Sequence, residues 1–454
     1  LTVMTFLGAG MLSGISAQVS PLQVDTLKET KIPDQWDLQS CIDYAKEQNI
    51  TIRKNRITAV STQIDVKTAK AALFPSLSFS TGHQVVNRPY QETSSRVSGS
   101  EIISSNSKTS YNGNYGLNAS WTLYNGNKRL KTIQQEKLNN QMAELDVATS
   151  ENNIQESIAQ VYIQILYAAE SVKVNENTLQ VSIAQRDRGQ ELLNAGSIAK
   201  SDLAQLEAQV STDRYQLVTA QATLEDYKLQ LKQLLELDGE NEMNIYLPAL
   251  SDENVLAPLP TKRDVYISAL SLRPEIEASK LNVEASELGI NIAKSSYFPT
   301  ISLSAGIGTN HTSGSDFTFG EQVKNGWNNS IGLSVSVPIF NNRQTKSAVQ
   351  KAKLQYETSM LSLLDEQKAL YKTIESLWLD ANSAQQRYAA ANEKLKSTQI
   401  SYELISEQFN LGMKNTVELL TEKNNLLQAQ QEQLQAKYMA ILNMQLLKFY
   451  QGDQ

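Results

Sequence analysis

The chain has 454 residues, with 41 Lys and Arg against 48 Asp and Glu, a net charge of −7 and only 7% aromatic residues. The acidic balance disfavours a nucleic-acid-binding surface. No run of 18 or more apolar residues follows the N-terminal region, which excludes a transmembrane helix there but not the weaker signal of barrel strands. The single cysteine, Cys41, excludes an internal disulfide and reads as a small buried residue beside Ile42.

Residues 3–15 are apolar or small, and Gly14-Ile15-Ser16-Ala17-Gln18 follows. This reads as a secretory signal peptide over 1–17, cleaved near Ala17, with a short buried helix as the alternative. Residues 18–36 form an extended leader containing Pro21 and Pro33. A short amphipathic helix starts at Asp37, Asn49-Ile50 interrupts it weakly, and a second helix runs from about Thr51 to Leu73. At Phe74-Pro75 the period changes from 3.6 to 2, because proline stops the helix and biases its neighbour toward extended geometry.

Ala69–Gly82 and Ala293–Gly306 share seven of fourteen aligned residues, including Phe74-Pro75 and Phe298-Pro299. Ala45 and Ala269 keep the same 224-residue offset, so the chain reads as a tandem duplication. The first repeat covers 37–243, a Pro-containing linker covers 244–262, and the second repeat covers 263–454.

In the first repeat a strand hairpin spans about 75–124. Leu77, Phe79, Thr81, His83 and Val85 alternate with Ser76, Ser78, Ser80, Gly82 and Gln84. A polar loop, about Asn87 to Ser110, precedes Tyr111, Gly113, Tyr115, Leu117, Ala119, Trp121 and Leu123 on the apolar face. The second hairpin, about 299–340, sets Ile301, Leu303, Ala305 and Ile307, then Ile331, Leu333, Val335, Val337 and Ile339, against Ser and Gly across a Gly/Ser-rich loop. A soluble sheet normally carries Lys and Glu on its wet face. Small uncharged residues there fit a transmembrane barrel with a watery lumen. Phe74, Tyr124, Phe298 and Phe340 near one end, and Tyr111 and Trp327 near the other, fit two interfacial girdles, with ordinary soluble-core packing as the alternative. Four strands leave two edges that lipid does not tolerate, so several copies must close the barrel. Eight strands fill their own interior, whereas twelve leave a lumen, although symmetry alone allows two, three or four copies.

Long helical hairpins follow, over about 128–237 and 343–450. Each first arm is roughly 100 Å long at 1.5 Å per residue. Leu370, Ile374, Leu377, Ala381, Ala384, Tyr388, Ala391, Leu395, Thr398, Tyr402, Ile405 and Phe409 keep an unbroken 4-3 rhythm, as do Leu203, Leu206, Val210, Leu217, Leu224, Tyr227, Leu231 and Leu234. The arms end at Gly196 and Gly412, at the position of a left-handed helix stop. The fold class is therefore α+β: duplicated strand hairpins continued by a coiled-coil barrel.

Catalytic vocabulary is sparse. His83 and His311 have no second histidine or acidic cluster near in sequence and read as barrel residues. No phosphate loop, nucleophile elbow or zinc spacing occurs, so neither enzyme activity nor a cofactor or metal is expected. Asp202 and Glu418 each lie six residues past a tip glycine. In an oligomer each would form a carboxylate ring that attracts cations. Plain helix N-terminal placement explains them equally well.

The paired Phe-Pro junctions, Val335-Ser336-Val337-Pro338-Ile339-Phe340-Asn341, its counterpart Trp121-Thr122-Leu123-Tyr124-Asn125-Gly126, and the tips Gly196…Ser201-Asp202-Leu203 and Gly412…Val417-Glu418-Leu419 resemble the TolC-type outer membrane efflux protein family. The resemblance covers essentially the whole mature chain. It implies a homotrimer with a 12-stranded barrel in outer membrane lipid and a periplasmic tunnel. That tunnel would dock onto a periplasmic adaptor protein and an inner-membrane transporter, with no nucleic acid involved. It places an acidic gate residue at Glu418, and Lys414 and Asp202 at positions of polar links that hold the closed state. Thr421 stands where the family carries a second acid, and Phe409 where a hydroxyl-bearing aromatic can occur. The expected function is a passive duct of an efflux system. The rivals are a type I protein secretion channel and a soluble periplasmic coiled-coil scaffold.

Overall fold

The computed structural model describes residues 32–90, 94–98, 101–105, 108–238, 243–248, 255–313, 315 and 317–452. The signal-peptide stretch and most of the leader lie outside the described residues. In chain order the elements are α1 (Leu38–Gln48), α2 (Ile50–Ala71), β1 (Ser76–Asn87), β2 (Ser94–Ser98), β3 (Glu101–Ser105), β4 (Thr109–Asn125), α3 (Lys128–Asn194), α4 (Lys200–Leu234), α5 (Lys262–Leu272), α6 (Pro274–Ser295), β5 (Thr300–Thr312), α7 (Phe319–Asn325), β6 (Asn328–Ser336), α8 (Gln344–Asn410) and α9 (Thr416–Gln451). From α5 onward the second half repeats the order of the first, with α7 in the place of β2 and β3. No helix among the described residues is long and apolar enough to cross a membrane.

The chain divides into two compact units. One, Ala59–Leu145 with Glu275–Gln367, holds an antiparallel sheet of order β1-β4-β5-β6. The register aligns Leu77 with Ala119, Ala305 and Ile331, and Phe79 with Leu117 and Ile307, on one face. On the other it aligns Ser78 with Asn118, Gly306 and Ser330, and Ser76 with Ser120, Ser304 and Gly332. The apolar face is bare: Leu77, Phe79, Ile331 and Leu333 are each more than three-fifths exposed. Apolar residues left open in whole rows need a cover other than water.

Three sequence expectations for this unit need correction. The polar loop of the first hairpin contains a second antiparallel pair, β2 with β3. The Gly/Ser-rich loop of the second contains α7, whose Thr318 side chain caps the Glu321 N–H while Glu321 reaches back to the Thr318 N–H. That reciprocal cap is what a Thr-x-x-Glu pattern provides. Finally, β6 stops at Ser336, so Val337 and Ile339 are not strand residues. Pro338 has no N–H for the ladder, which accounts for the early stop.

The other unit comprises the described residues of Leu1–Thr58, Asp146–Pro274 and Lys368–Gln454. Its core joins Trp36, Cys41, Ile42 and Ala45 to Ile158, Tyr162, Ile165 and Leu166 of α3 and to Leu434, Leu442 and Leu446 of α9. Burial pushes the Cys41 thiol up to about 12, which leaves it an inert packing group. Asp37 opens α1 by accepting the Ser40 N–H at 2.7 Å, the usual N-cap. The expected seam of α8 is inward: Leu370, Ile374, Ala381, Ala384, Tyr388, Ala391 and Phe409 are buried, and the intervening seam residues are partly so.

Candidate functional site

The hairpin tips are near-copies of each other. Gly196 and Gly412 both take φ of +74°. At the first, the Gly196 N–H donates to the Leu193 carbonyl at 2.9 Å and the Ser197 N–H to that of Leu192 at 2.8 Å. At the second, Gly412 donates to Phe409 at 2.9 Å and Met413 to Gln408 at 2.8 Å. These paired bonds satisfy the last helical carbonyls and require a left-handed residue.

The acids beyond the tips cap the return helices. The Ala199 N–H donates to the Asp202 carboxylate at 3.0 Å. Glu418 accepts the Asn415 N–H at 3.2 Å while its own N–H donates to the Asn415 side chain at 2.9 Å. Lys414 also donates to the free oxygen of Glu418 at 2.5 Å. The Lys414 contact, aided by the Asn415 N–H, holds the Glu418 carboxyl below its ordinary range. The structure thus brings Lys414 and Glu418 together on one hairpin and keeps Asp202 on its own helix start. The Thr421 hydroxyl donates to the Val417 carbonyl at 2.7 Å and so serves its own helix. Phe409 is 3% exposed and packs in the seam.

One set of polar residues escaped the sequence reading. Asp213 and Lys423 occupy 4-3 seam positions of α4 and α9, yet they are 2% and 3% exposed. The Lys423 ammonium donates to both the Asp213 carboxylate and the Ser182 hydroxyl, and Ser182 donates to the same carboxylate. Gln209 supplies a further donor to Asp213 at 2.9 Å. Burial lowers the pKa of Lys423 from the usual lysine range, opposed by Asp213. A buried charge persists only when paired and hydrogen-bonded, and this cluster meets both conditions. It links α3 and α4 of the first hairpin to α9 of the second. The available signal was the gap at 213 in an otherwise apolar list.

At the sheet ends, Phe74, Phe298 and Phe340 are 73%, 52% and 84% exposed beside the starts of β1 and β5 and past the end of β6. Tyr124 lies at the same end, after a bulge between Thr122 and Tyr124. Tyr111 and exposed Trp327 lie toward the opposite end. Trp121 donates from its indole to the Leu73 carbonyl at 2.7 Å, and Arg129 donates to that of Ala72 at 2.6 Å. These bonds take up the carbonyls freed where α2 stops before Pro75.

A sheet with a bare hydrocarbon face and a Ser/Asn/Gly face, continuous with 67-residue helices, defines a membrane-barrel subunit with coiled-coil hairpins. The outer membrane efflux protein model matches residues 41–236 and 265–452, once over each half, and the chain belongs to that outer membrane family. The chain is 24% identical over 290 residues to the outer membrane efflux protein BepC of Brucella suis, covering 63% of this chain and 60% of that protein. It therefore spans less than two thirds of that relative's length. It is 22% identical over 428 residues to the toxin and drug export protein A of Aggregatibacter actinomycetemcomitans, covering 91% of this chain and 87% of that protein. Among solved structures, the transmembrane channel CusC superposes with a TM-score of 0.77 at 19% identity, covering 91% of each chain. That likeness establishes the fold.

Proposed function

We propose that the chain is one subunit of a homotrimeric outer-membrane duct that conducts drugs or other small molecules passively from an inner-membrane pump and its periplasmic adaptor to the exterior. The carrying observation is the four-stranded sheet, whose rows of exposed Leu, Ile, Val and Phe back onto rows of Ser, Asn and Gly. In lipid every strand edge must be paired, and β1 and β6 are edges within one chain. Three copies supply twelve strands, enough for a lumen. In this reading the mature chain is two repeats, 37–243 and 263–454, behind a signal peptide. Phe74, Tyr124, Phe298 and Phe340 form one interfacial girdle; Tyr111 and Trp327 belong to the other. The tips carry the periplasmic gate. Gly196 and Gly412 turn the hairpins, and Glu418, restrained by Lys414, presents one carboxylate per subunit, with Asp202 and Thr421 beside the entrance.

The second reading, a protein secretion channel, draws on the relative named for both toxin and drug export. Membrane fractionation followed by an unboiled gel tests the shared architecture. The duct predicts a detergent-dependent oligomer in the outer membrane. Extraction without detergent as a monomer contradicts it. Drug susceptibility and the secreted proteins of a deletion strain then separate the two cargo classes.

A further inference from the structure

We propose that His83 and His311 form a binding site for a late first-row divalent cation, of the Cu2+, Ni2+ or Zn2+ class, on the apolar face of the sheet. They are the only two histidines in the chain. Although 228 residues apart, they flank one glycine: His83 pairs with Gly113 on β4, and Gly113 pairs with His311 on β5. All three positions face the same side of the sheet.

Gly113 makes the convergence possible. A Cβ built there would lie 2.2 Å from His311 Cε1, 2.6 Å from His311 Nδ1 and 3.2 Å from His83 Nδ1. Both Nδ1 atoms therefore approach one point above the glycine, where any other residue would place carbon. The His311 Nδ1 is buried and has no hydrogen-bond partner. Buried imidazole nitrogens ordinarily find one, so this orphan asks for a ligand. The His83 Nε2 lies 3.1 Å from the Thr81 hydroxyl, and its Nδ1 lies 2.8 Å from the Tyr111 hydroxyl. In the tautomer whose Nε2–H donates to Thr81 and whose Nδ1 accepts from Tyr111, the His83 lone pair lies on Nδ1. A cation that displaced the Tyr111 proton donor would find that lone pair ready.

The surroundings hold the rings in place. Tyr111 and Tyr115 lie 5.2 and 5.9 Å from the His311 ring, Tyr115 lies 5.4 Å from His83, and Phe319 of α7 packs edge-on to His311 at 5.0 Å. Packing that fixes ring orientation is what a metal-binding imidazole needs around it. Among the described residues no group of three His, Cys, Asp or Glu could hold a metal. The donor set is thus two imidazoles, with the Tyr111 oxygen adjacent and water of the membrane interface, where the Tyr111 girdle lies, completing the shell. Neutral nitrogen donors without carboxylates select against Ca2+ and Mg2+ and favour the Cu2+ end of the divalent series. The repeats do not share this feature. The 224-residue offset makes Ile307 the counterpart of His83 and Asn87 the counterpart of His311. Each repeat contributes one ligand, so a bound cation would staple the two repeats across the β4–β5 seam.

The test uses the untagged full chain in detergent, stripped with chelator and titrated with Cu2+. The expected result is one Cu2+ per chain, nitrogen hyperfine structure from two imidazoles in the electron paramagnetic resonance spectrum, and a raised thermal unfolding midpoint. His83→Gln and His311→Gln should each weaken binding at least about tenfold and lose one nitrogen. Each variant is first checked on an unboiled gel for the wild-type oligomer, and the wild-type spectrum stands as evidence if a variant fails to assemble. Unchanged affinity in assembled His311→Gln, a wild-type spectrum without two nitrogens, or no wild-type binding at Cu2+ on the order of micromolar overturns the proposal.

Discussion

Two lysine–carboxylate pairs have their lysines nine residues apart around the start of α9, and solvent treats them oppositely. Lys414–Glu418 is 33% and 40% exposed in its side chains; Lys423–Asp213 is 4% and 2% exposed. The exposed pair joins residues four apart on one hairpin, so its contribution to the fold is small and local. What it changes is charge: it holds the Glu418 carboxyl below its ordinary range beside the tip. The buried pair joins residues 210 apart on different hairpins. It interrupts an apolar seam, and a polar residue in a heptad seam fixes register. The same chemistry tunes electrostatics at one site and aligns helices at the other.

The comparison breaks most visibly if one buried partner is removed. Asp213→Ala or Lys423→Ala should each cost about 3–5 kcal/mol, because an unpaired charge is left in the seam. Thermal unfolding of the detergent-solubilised protein reads this. The joint Asp213→Leu/Lys423→Met variant should recover most of the loss, whereas additive losses would show that the pair is not acting as a unit. Next in size, Gly412→Ala should cost about 1–2 kcal/mol from its left-handed backbone alone, since nothing lies within 4 Å of the added carbon. Faster amide exchange confined to the tip is the expected signature. Ser182→Ala removes one partner of the cluster and keeps the ion pair, with an expected cost of about 1 kcal/mol.

Lys414→Ala should have the smallest effect on stability and a distinct effect on pH dependence. The Glu418 pKa is lowered from 4.5, so its capping contribution is complete above that value and is lost as pH falls through the lower folded value. Without Lys414 the folded pKa rises toward 4.5 and the loss begins at higher pH. Amide exchange in the first turn of α9, followed against pH, measures the shift. An identical profile in both proteins would remove Lys414 as the cause.

The parts of this molecule governed by period were legible from residues alone. The α8 seam from Leu370 to Phe409 and the face alternation of β1, β4 and β5 follow from 4-3 and two-residue rhythms: the seam turns inward, and the strand register keeps each row on one face. Features that depend on one residue breaking a rhythm were not. Asp213 and Lys423 are ordinary surface residues by type, and only the neighbouring helices bury them. Pro338 ended β6 although the aliphatic alternation continued through Ile339. The α7 cap at Thr318 and Glu321 was present as a pattern but lay in a stretch rich in Gly and Ser. The His83–Gly113–His311 row needs the β4–β5 register, which pairs the two repeats and which neither repeat encodes alone.

Planar-bilayer recording of the purified protein, wild type beside Glu418→Ala, tests the central claim most directly. A tip-gated duct predicts discrete channels that prefer cations and are blocked by multivalent cations added at the tip side, with both properties weakened in Glu418→Ala. Channels with unchanged preference and block in that variant would contradict the gate, and the absence of any conductance from a correctly assembled oligomer would contradict the duct itself.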